Sequence, residues 1–143
     1  MKKMPLVIIC SALIFFSISF VRADTFKFNA LDLFKYCQAS ENIIDKKPIA
    51  IEDTGTRLMQ AGWCTGFLLG LDAMQEAMAG KFTNWPDDFA QVKKEFYYCL
   101  PDGVSKEQLI RSVVKYGTDH PESLHLQADI FVIKAFKHYY PCE

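Results

Sequence analysis

The chain has 143 residues, is 50% apolar, and carries 16 basic against 17 acidic groups for a formal charge of −1. Three of the basic groups and none of the acids lie in residues 1–23, so the remaining 120 residues hold 13 basic against 17 acidic groups, a net of −4. That size and apolar content fit one domain with a single core and exclude general disorder. The acidic surplus argues against a nucleic-acid partner, which needs a basic face to meet phosphates.

Lys2 and Lys3 precede an apolar stretch from Pro5 to Phe20, and Val21-Arg22-Ala23 offers small residues at the −3 and −1 positions. This is the pattern of a secretory leader cut between Ala23 and Asp24. The stretch is short for a membrane span, which needs roughly 20 residues, so no membrane anchor is expected after cleavage. Export implies an oxidising compartment.

A first helix is expected from Asn29 to Ala39. A second runs from about Thr54 to Ala79, with Gly80 as its C′ residue. Gly62, Gly66, Gly70, Ala73 and Ala77 recur at intervals of four, four, three and four and share one face of it. Interior glycines cost about 1 kcal/mol each against Ala, so a backbone approaching this seam is the natural compensation. The approaching element is another helix of the same chain or a second copy in a symmetric dimer. Lys81-Phe82-Thr83-Asn84-Trp85-Pro86-Asp87-Asp88 reads as a loop. Asp87 or Asp88 caps a short extra helix through Phe89, Val92 and Phe96. Phe82 and Trp85 are either lids on the core or anchors for a partner.

Pro101-Asp102-Gly103 marks a turn, and Ser105-Lys106-Glu107-Gln108 a capping box, with Val104 and Leu109 as its hydrophobic staple. The third helix continues through Ile110, Val113 and Val114 to Gly117, a plausible C′ residue. Pro121 suits a first helical position, and an apolar helix from about Glu122 to Tyr140 follows, ended by Pro141. The short link between these two helices implies antiparallel packing.

Removing Cys10 with the leader leaves Cys37, Cys64, Cys99 and Cys142. No pair has CxxC spacing and no His stands at ligand spacing, so disulfides are expected rather than a metal site. Cys99 precedes the third helix and Cys142 follows the fourth, ends that antiparallel packing brings together. Cys37 then pairs with Cys64. The loops closed span 43 and 27 residues, worth roughly 4 and 3.5 kcal/mol in the chain-entropy model. The expected architecture is all-α, a small disulfide-stapled bundle of four main helices plus the short extra helix, forming one domain over 24–143.

No catalytic residues stand out. His120, His125 and His138 are the three histidines, and His120 and His125 are poorly spaced to share a metal. The adjacent Asp87 and Asp88 do not converge on one ligand, and there is no phosphate loop, GxSxG or HExxH. The reading is a binding protein without enzymatic activity, metal or cofactor.

Phe34-Lys35-Tyr36-Cys37-Gln38, Cys64-Thr65-Gly66-Phe67-Leu68-Leu69-Gly70, Tyr98-Cys99-Leu100-Pro101-Asp102-Gly103-Val104, His120-Pro121, Ala135-Phe136 and Pro141-Cys142 occur in that order. Together they resemble the Rap/Tai immunity proteins of Gram-negative bacteria. The resemblance implies a small helical periplasmic protein that binds and blocks a cognate peptidoglycan amidase delivered by type VI secretion, often as a homodimer. The first candidate for the blocking surface is the Phe82–Asp88 segment, through Phe82, Asn84, Trp85, Asp87 and Asp88. The second is the turn from Thr118 to Ser123, through Asp119 and Glu122. The rival reading is a periplasmic chaperone or stress-response binding module with no toxin partner.

Overall fold

The computed structural model describes residues 28–81 and 95–142. The expected leader with its cleavage point Ala23/Asp24, and the residues Phe82, Asn84, Trp85, Asp87, Asp88, Phe89 and Val92, lie outside the described residues. Four α-helices make up the described fold: α1 (Ala30–Ile44), α2 (Thr54–Lys81), α3 (Lys106–Asp119) and α4 (Ala128–Tyr139). Short 3-10 turns at Ile51–Asp53 and Pro121–His125 lead into α2 and α4. The architecture is an all-α bundle stapled by two disulfides.

Asn29 caps α1, its side-chain oxygen accepting from the Asp32 amide at 2.9 Å. The helix does not stop at Ala39 but runs on to Ile44. Nothing in Ser40–Ile44 breaks it, Ser40 is buried, and Ile44 packs on the core. The chain turns away just beyond it at Lys46, whose φ of 53° is left-handed and lets the Lys47 amide close back on the Asn42 carbonyl at 2.9 Å.

The core lies where α1, α3 and α4 meet: Leu33 and Cys37, then Leu109, Ile110 and Val113, then Phe131, Val132, Ala135 and Phe136. Tyr98 enters it edge-on against Phe136, with ring centroids 5.0 Å apart. The third helix begins with its capping box: Ser105 Oγ accepts from the Gln108 amide at 3.3 Å and Gln108 Oε1 from the Ser105 amide at 2.8 Å. Gly103 takes the left-handed φ of 84° that its turn requires.

Gly117 does not end α3. It lies inside the helix and is buried, and a Cβ there would stand 2.5 Å from the Phe34 ring and 3.0 Å from Phe131. The glycine permits close approach of α1 and α4 rather than a change of chain direction. Nor is 122–140 one helix. The Ala30 amide donates to the Leu126 carbonyl at 3.0 Å and the Ala128 amide to the Phe28 carbonyl at 3.3 Å. These bonds hold Leu126 and Gln127 extended, and α4 starts afresh at Ala128. Ser112 Oγ reaches the Tyr140 hydroxyl at 3.0 Å while Gly117 lies against Phe131, so α3 and α4 run antiparallel.

Candidate functional site

The disulfides join the elements at two points. Cys37 and Cys64 link α1 to α2 with their Cα atoms 5.1 Å apart. Cys99 and Cys142 tie the chain before α3 to the chain after α4, with Cα atoms 4.9 Å apart. Backbone bonding reinforces the second link, the Cys99 amide donating to the Tyr140 carbonyl at 3.0 Å.

Among the described side chains of the long α2, only Cys64 and Leu68 are fully buried, with Phe67 and Leu71 half-buried beside them. Gln75 secures the helix further along, donating through Nε2 to the Tyr98 carbonyl at 2.6 Å. The seam faces away from this contact. Gly62, Gly66 and Gly70 have nothing within 4 Å of a Cβ built on them, and Ala73 and Ala77 are exposed. Among the described residues no helix of the same chain lies on the seam. The reason is the position of the disulfide: Cys64 stands about 200° round the helix from Gly66, so stapling Cys64 inward turns the glycines outward.

Residues that the sequence reading did not single out flank the seam. Leu58, Met59, Trp63, Leu69 and Met74 are between 43% and 59% exposed, and none is charged. Their signal was available, because they alternate with the glycines and alanines around one side of α2. Met59, Gly62, Trp63, Gly66 and Phe67 line a shallow apolar groove of about 530 Å³. Phe28 supports its wall, with ring centroids 6.1 Å from Trp63 and 5.6 Å from Phe67.

At the corner between α3 and α4, Asp119 and Glu122 are exposed. Asp119 accepts from Lys115 at 2.8 Å and Glu122 lies 3.2 Å from His120 Nδ1. The Lys115 hydrogen bond holds the Asp119 carboxyl below its ordinary range. A backbone hydrogen bond, helped by His120, lowers that of Glu122. His120 rests on the nearly buried Tyr116 ring at 4.5 Å, with His138 5.7 Å away. The corner is thus an anionic ridge on an aromatic base, remote in sequence from the Phe82–Asp88 candidate. No group of three or more His, Cys, Asp or Glu among the described residues could hold a metal ion. No described helix is long and apolar enough to cross a membrane.

A family model for the Rap1a immunity proteins matches residues 29–142. The chain belongs to this family. The match runs from the N-cap of α1 to the last disulfide cysteine, so the Rap1a frame includes all four helices and both staples. A role in immunity to a toxin follows from membership. No curated protein and no solved structure matches the chain significantly.

Charge also helps hold this Rap1a frame. Arg111 on α3 reaches Asp45 at 2.5 Å and Glu41 at 3.5 Å, clamping the end of α1. The hydrogen bond from Arg111 lowers the Asp45 carboxyl from its ordinary 3.8. A carboxyl lowered in the folded state gives stability that is complete above the unfolded value and is lost as pH falls through the folded one. Asp45, Asp119 and Glu122 all act in this direction, so the urea midpoint should decline as pH is lowered from about 5 to about 3. Arg111→Ala should lower the midpoint near neutrality and flatten part of that decline; an unchanged acid limb in the variant would count against the clamp.

Proposed function

We propose that this Rap1a-family chain is exported by its N-terminal segment, cut between Ala23 and Asp24, and acts in the periplasm as a non-enzymatic inhibitor. It binds and blocks a cognate peptidoglycan amidase delivered by type VI secretion and so protects the producing cell. The observation that carries the reading is the family match over residues 29–142. Two disulfides support export to an oxidising compartment. They also preorganise the frame, which reduces the entropy lost when a partner is clamped. The acidic balance of the chain beyond the leader favours encounter with a basic enzyme surface.

The segment carrying Phe82, Asn84, Trp85, Asp87 and Asp88 is the first choice for the blocking surface. It pairs aromatic anchors with carboxylates and joins α2 to the Cys99 staple. The anionic corner at Asp119 and Glu122 is the second. For the seam, a second copy of the chain is the proposed occupant. The face from Leu58 to Ala77 is apolar and exposed, and glycines at its centre allow two α2 helices to approach closely.

Purified protein should abolish peptidoglycan hydrolysis by a secreted amidase encoded beside its gene, and Trp85→Ala with Asp87→Ala should weaken that inhibition at least tenfold. Hydrolysis that continues at saturating protein contradicts the inhibitor reading. Suppression of aggregation of unrelated unfolded clients, without amidase inhibition, would instead establish the chaperone. For the dimer, sedimentation should show a two-fold assembly that Gly66→Leu converts to a monomer with an unchanged melting curve. A wild-type monomer would remove the dimer.

A further inference from the structure

A second surface lies on the other side of the Cys37–Cys64 bond, between the later turns of α1 and the first turns of α2. The disulfide pins the helices together at one end, and the link 45–53 crosses the other. Between them is a cleft of about 570 Å³, within the size range of ligand sites. Its lining is polar apart from Ala39, which is 2% exposed.

The charges in the cleft are unequally engaged. Glu41 is occupied by Arg111 at 3.5 Å, and Lys47 donates to Asn42 Oδ1 at 2.9 Å. Lys35 and Gln38 on α1, and Arg57 and Gln60 on α2, line the same space, and their side chains make no hydrogen bond or ion pair with any described residue. Two cations, two amides and one carboxylate (Asp53) therefore face one preformed cleft without a side-chain partner among the described residues, a local cationic excess in a chain whose charge beyond the leader is acidic. Asp53 also lines the cleft, and with Glu41 it disfavours a dense polyanion such as a phosphate chain. A peptide suits the mixture better. Its side-chain carboxylates meet the Arg57 fork and the Lys35 ammonium, and its backbone N–H and C=O groups meet the Gln38 and Gln60 amides.

We infer that this cleft is a binding site for an extended acidic peptide segment, held through carboxylates at Lys35 and Arg57 and through backbone hydrogen bonds at Gln38 and Gln60. The site is separate from the Phe82–Asp88 segment, the Asp119–Glu122 corner and the α2 seam, and does not depend on amidase inhibition. It stands or falls independently of the proposed function.

The test is an amide NMR titration of the chain from Asp24 onward, both disulfides intact, with an acetylated and amidated hexapeptide of alternating Glu and Ala. A Lys-for-Glu hexapeptide and inorganic phosphate serve as competing probes. The acidic peptide should shift amides of 35–42 and 56–60 in a saturable, salt-sensitive way. Lys35→Glu with Arg57→Glu should weaken it by about tenfold or more. Gln38→Ala with Gln60→Ala should weaken it less. Because these side chains have no partners among the described residues, the melting curve should stay in place. Equal shifts from the basic peptide, displacement by equimolar phosphate, or unchanged affinity in the charge-reversed variant would each overturn the assignment.

Discussion

The bond between Cys37 and Cys64 fixes which side of α2 meets the core, and with it which face of that helix is left exposed. Among the described side chains of the helix from Thr54 to Lys81 only Cys64 and Leu68 are fully buried, with Phe67 and Leu71 half-buried, so it has less hydrophobic burial to hold it than the other three helices. The cross-link closes a loop of 27 residues, worth roughly 3.5 kcal/mol in the chain-entropy model. By comparison α1, α3 and α4 interlock through Leu33, Val113, Phe131 and Phe136, all fully or almost fully buried. Three helices thus form the core, and the fourth is stapled to its flank.

That arrangement has opposite consequences on the two sides of α2. Turning Cys64 inward directs Gly62, Gly66 and Gly70 outward, so a seam suited to close helix packing is left without a helix of its own chain among the described residues. On the α1 side, the staple holds the helices together while the link 45–53 leaves a polar cleft at their open ends. The Cys99–Cys142 bond acts elsewhere, closing the chain around α3 and α4. Rigid cross-linked elements thus carry exposed faces that do not have to order themselves on binding.

Local chemistry was the most legible part of the sequence. The Ser105–Gln108 capping box, the turn at Gly103 and the start of α2 at Thr54 each depend on residues close in the chain, and each is found there. Tertiary contacts explain the departures. Gly117 looks like a helix end until the Phe34 and Phe131 rings are placed against it. The apolar run from Glu122 to Tyr140 looks continuous until the amides of Ala30 and Ala128 pair across Leu126 and Gln127. Spacing alone puts the seam residues on one face, but spacing does not say whether a face points inward. The cleft was invisible for a similar reason, since Lys35 and Arg57 are far apart in sequence and meet only because the disulfide folds α2 back on α1.

The central claim is that α2 is held mainly by the Cys37–Cys64 bond, whereas α1, α3 and α4 stand as a core without it. Hydrogen exchange on a Cys37→Ala, Cys64→Ala double variant tests this directly. The amides of 54–81 should lose most of their protection while those of 106–119 and 128–139 keep theirs. Protection of α2 equal to that of the intact protein, or its loss across all four helices together, would contradict the account.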